Sequence, residues 1–182
     1  MKASMWKTSN ARIPRGQKGA GMIEILVAIL VVAVGVLGYA GMQMFALRGA
    51  ETASYRTQAT LVAKDALERM LMNSDAAATG AYFTAANWPA NSVAAGGTFP
   101  TVCMGTATCT PDAQALADIT QLSWIAANTL PLGIIRAQVE CTGTPSASCI
   151  IVSWQGTNPA DCLAGNVVST SEPCVVLEAI RP

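Results

Sequence analysis

Histidine is absent from all 182 residues. With it goes the side chain most used for acid–base work near neutral pH and for holding zinc. Cysteine is absent before residue 103, and proline is absent from 15 to 88, which leaves a long stretch open to uninterrupted helix. Charged residues make up only 12% of the chain, and basic ones nearly vanish beyond Asn73, where Arg136 and Arg181 stand against seven acids. Non-specific nucleic-acid binding draws its affinity from Lys and Arg on phosphates, so no direct nucleic-acid binding is expected of that part. Without His there is no Ser–His or Cys–His pairing, and no Gly-rich phosphate loop is present. The sequence therefore points away from an enzyme: no catalytic residue and no cofactor are expected. Asp112 with Asp118, and Asp161 with Glu172, lack the dense alternation of a calcium loop, and no C-x-x-C pair exists, so no metal site is expected either.

What the chain does have is a run of twenty-five residues, 22–46, apolar or small throughout except for Glu24, Tyr39 and Gln43. About 20 such residues suffice to cross a bilayer as a helix. The run follows a leader that carries Lys2, Lys7, Arg12, Arg15 and Lys18 and no acid. A secretory signal has a shorter apolar core, of about 7–15 residues, so a retained anchor fits better. A plain signal anchor remains as an alternative, but neither of these needs a carboxylate at the membrane entrance. A charge there is a functional-site hypothesis by default. The positive-inside rule puts the leader in the cytoplasm and everything after the span outside the inner membrane.

The segment Gly19-Ala20-Gly21-Met22-Ile23-Glu24, with its long apolar continuation, resembles the processing site of type IV pilins and pseudopilins. The resemblance implies cleavage by a prepilin peptidase between Gly19 and Ala20, N-methylation of Ala20, and Glu24 at the fifth mature position. Ala20 and Gly21 stand where that family usually has Phe and then Thr or Ser. It further implies that Glu24 meets the N-terminal amine of a neighbouring subunit and sets the register of assembly. The alternative is a Glu24 that stays protonated or reaches the interface unpartnered.

The helix is expected to continue past the span. From 47 to 73 there is no proline, and Tyr55, Ala59, Val62, Ala66 and Met70 form one apolar stripe at steps of three and four, widened by Leu67 and Leu71. Asp65 and Arg69 make a well-oriented i,i+4 pair. A helix over 22–73 would be roughly 78 Å long. Gly35, Gly38 and Gly41 inside the span suit close helix packing, or a segment softened for assembly. Residues 74–100 read as a loop over a sheet, anchored by Tyr82, Phe83, Trp88 and Phe99. Thr110 and Pro111 open a second helix, with Ala115, Leu116, Ile119, Leu122, Ile125 and Ala126 on its stripe, and Pro131 and Gly133 stop it near Asn128. Ile135, Ala137, Val139 and Cys141 alternate with polar residues as a half-buried strand. Residues 149–155 and 174–180 are two further strands. The fold class is α+β: a long N-terminal transmembrane and amphipathic helix packed on a small antiparallel sheet.

The six cysteines all fall in the exported part. An even number in an oxidising compartment reads as three disulfides, with fifteen connectivities open in principle. Bridging the turn-rich segments locally favours Cys103–Cys109, Cys141–Cys149 and Cys162–Cys174.

Three domains are therefore expected: a leader over 1–19, the long helix over 20–73 (20–46 in the membrane or filament core, 47–73 amphipathic), and a disulfide-stapled periplasmic head over 74–182. The runs 22–30 and 34–38, together with 66–70, the span from Cys103 to Cys109, and Leu130-Pro131-Leu132-Gly133, resemble the PilV type of minor pilin in type IVa pili. What that implies is a structural subunit that primes or caps the pilus and supports twitching motility or adhesion. Its partners would be the major pilin, other minor pilins, prepilin peptidase and the inner membrane before assembly, with the cell surface as destination. A minor pseudopilin of type II secretion and a pilus-associated adhesin are the alternatives.

Overall fold

A computed structural model describes residues 19, 21–105, 108–141, 143, 147–165 and 167–180. The basic leader and Ala20 lie outside the described residues. The chain divides into two compact units, the first ending at Leu47 and the second comprising Arg48–Pro182.

Helix α1, Met22–Met72, begins in the first unit and ends in the second. Every described residue from Gly21 to Ser54 is exposed. The apolar segment thus finds no partner among the described residues, and α1 is long and apolar enough to cross a membrane. An added Cβ at Gly35, Gly38 or Gly41 would touch nothing. Whatever these glycines serve, it is not packing inside this chain.

The second unit is organised around the amphipathic half of α1. Ala59, Val62, Ala63, Ala66 and Met70 are buried, and Tyr55 and Leu67 pack against them half-buried. Leu71 does not widen the stripe as expected but is 57% exposed. At 100° per residue it is turned away from Met70 and toward solvent.

Three strands form an antiparallel sheet in the order β1 (Ile134–Val139), β2 (Ala147–Ser153), β5 (Cys174–Ile180). Ile135 and Ala137 of β1, and Ile150 and Val152 of β2, face the helices, with Val175 and Leu177 of β5 packed alongside. On the opposite face Ile151, Cys141, Cys149, Cys162 and Cys174 form a second cluster, closed by Leu163 and Val176. Central β2 is buried along its whole length. β1 was expected to reach Cys141 but stops at Val139, because Glu140 takes a left-handed conformation (φ 57°) and turns the chain. The connection from β2 to β5 carries a 3-10 turn, Pro159–Cys162, and a small hairpin of β3 (Leu163–Ala164) and β4 (Val167–Val168) that the sequence reading did not include.

Helix α3, Pro111–Thr129, starts where the capping pattern indicates: Ala113 N–H donates to Thr110 Oγ1 at 3.3 Å, with Pro111 in the first turn. It is buried on most of its circumference, although Leu116 is 47% exposed. The reason is that the segment after α1 runs along α3 and covers it, instead of lying loose over the sheet. The segment begins with a short helix α2, Ser74–Thr79, ended by Gly80 in the left-handed conformation (φ 82°). Tyr82 and Trp88 are then buried, the Trp88 indole donating to Tyr82 O at 2.6 Å. Further on, Gly96 N–H donates to Asn128 Oδ1 (2.7 Å) while Gly96 O accepts from Trp124 Nε1 (3.1 Å). Phe99 meets the Trp124 ring edge-on at 5.2 Å, and Val102 O accepts from Gln121 at 3.3 Å.

The six cysteines are joined as Cys103–Cys109, Cys141–Cys149 and Cys162–Cys174, with Cα separations of 5.8, 5.9 and 6.1 Å. Cys141–Cys149 and Cys162–Cys174 are buried behind the sheet. Cys103–Cys109 closes a loop beside the first turns of α3, with Cys109 exposed.

Two predictions arise from this packing. The turn after α3 is tight: Gly133 N–H donates to Leu130 O (3.1 Å), Leu132 is left-handed (φ 51°), and a Cβ on Gly133 would collide with the Ala126 carbonyl. Gly133→Ala should cost about 2 kcal/mol, read as a lower urea midpoint of the detergent-solubilised chain. Gly49→Ala, where a Cβ meets open space in helix, should leave the midpoint unchanged or raise it. Secondly, mild thiol treatment should open Cys103–Cys109 before the buried bridges. Replacing Cys141 and Cys149 by Ser should destabilise the head by about 2–4 kcal/mol, more than the same change at Cys103 and Cys109.

Candidate functional site

Glu24 occupies the first turn of α1. Its N–H donates to Gly21 O at 2.9 Å, and Ile25 N–H reaches the same carbonyl at 3.3 Å, so Gly21 closes the start of the helix. An acid in a first turn faces backbone N–H groups that lack intrahelical partners, and the helix dipole favours it there. Glu24 and Gly19 are both exposed. Ala20, the other processing residue expected from the sequence, is outside the described residues. Among the described residues no side chain within the chain pairs with Glu24, so a partner would have to come from elsewhere.

The polar centre of the second unit was missed by the sequence reading. Asp118, on the face of α3 toward α1, is only 4% exposed. Its Oδ1 accepts from Arg69 Nη1 (3.2 Å) and Gln114 Nε2 (3.1 Å), and its Oδ2 accepts from the Tyr82 hydroxyl (2.6 Å). Arg69 also donates to Asp65 Oδ1 (3.1 Å), the i,i+4 pair, and to Gln121 Oε1 (2.7 Å). Asn73 closes the network by donating to the Tyr82 oxygen (3.2 Å) and to Pro111 O (2.8 Å). The end of α1, the segment after α2 and the first half of α3 are thereby tied at one carboxylate. The available signal was a charge at the edge of each apolar stripe, Arg69 on α1 and Asp118 on α3, of opposite sign. Their pairing across 49 residues had no local signature.

Burial works against the charge on Arg69, but the hydrogen bonds and charges of Asp65 and Asp118 outweigh it and raise its pKa above the ordinary value. Burial, reinforced by the hydrogen bond to Asp118, pushes the Tyr82 phenol well above its usual 10. Since every donor around Asp118 belongs to the protein, the carboxylate acts as a structural lock.

With this geometry in place, comparison with known proteins yields one match: the family described as Tt1218-like, type IV pilin Tt1218, over residues 41–120. The match supports the type IV pilin superfamily. It covers less than half of the chain, taking in the end of the apolar segment, the amphipathic half of α1, the covering segment, Cys103–Cys109 and the first half of α3. Arg69, Tyr82 and Asp118 all lie within it. The Gly19–Glu24 pattern and the sheet lie outside it, so the resemblance at the N-terminus and the pilin match rest on separate residues. The observed α+β architecture, a long N-terminal apolar helix packed on a three-stranded antiparallel sheet, is consistent with the type IV pilin fold. No curated protein and no solved structure matches the chain.

The lock is testable by stability. Asp118→Ala should cost about 1–3 kcal/mol, since it leaves the buried Tyr82 hydroxyl without its acceptor and removes one of the partners of Arg69, whereas Asp65→Ala, at a half-exposed carboxylate, should cost under about 1 kcal/mol. The raised Tyr82 pKa contributes stability that is complete below about pH 10 and is lost as the pH rises above it. Urea titrations between pH 8 and 11 should show this decline, and Tyr82→Phe should flatten it.

Proposed function

We propose that this chain is a minor pilin of a type IVa pilus, of the PilV kind, acting as a structural subunit that helps prime or cap the fibre. The observation that carries the reading is the coincidence of two independent features. One is Gly-x-x-x-x-Glu, residues 19–24, at the mouth of an exposed apolar helix, and the other is the pilin match over 41–120. In this reading prepilin peptidase cleaves between Gly19 and Ala20, and the new amine on Ala20 is methylated. The leader is cytoplasmic, the head periplasmic, and the fibre carries the subunit to the cell surface.

The physical argument for Glu24 is desolvation. A lone carboxylate in lipid and a lone ammonium in lipid are both costly, and each lowers the other's cost by pairing. Glu24 of one subunit carries one unpaired charge, and cleavage creates the other, the Ala20 amine of its neighbour. Their contact fixes the axial position of the entering subunit. Support also comes from the uninterrupted exposure of 21–54, an apolar surface that needs either lipid or other helices around it.

Mass spectrometry of the mature chain should find an N-terminus at Ala20 carrying one added methyl group. Gly19→Leu should leave the uncut precursor in the inner membrane. Glu24→Ala should be inserted and cleaved normally yet recovered in sheared pili at less than about a tenth of the usual level, the loss expected for one charge pair of roughly 1.4 kcal/mol or more. A mature N-terminus downstream of residue 46, or normal recovery of Glu24→Ala, overturns the reading.

A further inference from the structure

Among the described residues beyond Arg69, Arg136 is the one basic side chain, in a stretch that holds seven acids. It pairs with none of them. Its Nε is buried and has no hydrogen-bond partner, and the ion pairs of the head, to Asp65 and Asp118, belong to Arg69. Arg136 sits on β1, an outer strand of the sheet, opposite Ile151, which is opposite Val176. Its stem therefore shares a face with the apolar cluster behind the sheet. Gln138, two residues along on the same face and opposite Cys149, is also half-buried.

A cation whose donor has lost water without gaining an acceptor is costly. The arrangement makes sense if the acceptor is supplied from outside. We propose that Arg136 is completed by a carboxylate on a neighbouring protein subunit, with Gln138 as a second donor, so that this face of β1 is a subunit contact. Nε is closed off, so the two Nη groups present the fork, which matches the two oxygens of a carboxylate. One guanidinium in an acidic head suits one negative charge. Phosphate-bearing surfaces are held by several cations together, and among the described residues beyond Arg69 there is only this one. Arginine is also, with Trp and Tyr, among the residue types enriched at the residues that carry subunit contacts. The partner is taken to be another pilin and so rests on the proposed function, but the contact itself does not.

The test uses the full chain in its own cells. A photo-activatable residue introduced as Gln138→benzoylphenylalanine is cross-linked both in membranes and in sheared fibres, and the adduct is mapped by mass spectrometry. Expected is a protein adduct next to an Asp or Glu of a second subunit. With it, Arg136→Gln should lower the cross-linking yield at least tenfold, Arg136→Lys should lose less, and Lys at the mapped acid should restore Arg136→Glu. Oxidised Cys141–Cys149 in each variant verifies the fold. Adducts confined to lipid, no adduct in either fraction, or a yield unchanged in Arg136→Gln overturns the proposal. A protein adduct in membranes of a chain absent from fibres sustains the contact and refutes the pilus role alone.

Discussion

The architecture of the head depends on one desolvated charge pair. Asp118 and Arg69 come from helices far apart in sequence, and the buried Asp118 carboxylate meets its cationic partner only when α3 lies against α1. A buried pair of this kind adds little net stability over a hydrophobic substitute, yet breaking it is expensive. Its value lies in specificity: a one-turn slip of α3 along α1 would strand Asp118, Gln121 and Arg69 together. Tyr82 and Asn73 extend the same constraint to the covering segment, so register, segment path and helix crossing are set by one group of hydrogen bonds.

Apolar burial supplies the bulk of the attraction, and it is distributed on both faces of β2. On the helix side small residues of α1, Ala59, Ala63 and Ala66, admit close approach, while Trp154, Tyr82 and Leu122 fill the volume. The cation–π contact of Arg56 over the Trp154 ring, at 5.9 Å, caps that core toward the start of the second unit. Behind the sheet, among the described residues, the 3-10 turn Pro159–Cys162 and two disulfides with Ile151 take the place of a packed α-helical layer. A small unit with few aromatics thus obtains its second core from covalent links.

The two units follow different rules. The head is closed by internal partners, whereas the apolar segment before Leu47 has none among the described residues. An exposed apolar surface of that length is stable in lipid or among like helices and unstable in water. Around Gly35, Gly38 and Gly41 nothing among the described residues needs those positions to be small.

Much was decided by the sequence alone, and the reason is locality. The apolar run, the i,i+3 and i,i+4 stripe ending at Met70, the Thr110–Pro111 cap and the alternation of Ile135 with Arg136 are read over windows shorter than a helix. So α1, α3 and the three main strands were legible, and with them the α+β class. Where strand β1 ends was not, because a left-handed Glu140 is an unusual choice that no propensity signals. Residues 74–100 read as loop because their partners lie on α3, and only the folded chain brings Gly96 to Trp124 and Asn128. Asp118 read as a scattered acid for the same reason. A buried carboxylate is identified by what surrounds it, and its Arg69 partner lies 49 residues away. Short-range periodicity chose the elements; long-range desolvation chose how they meet.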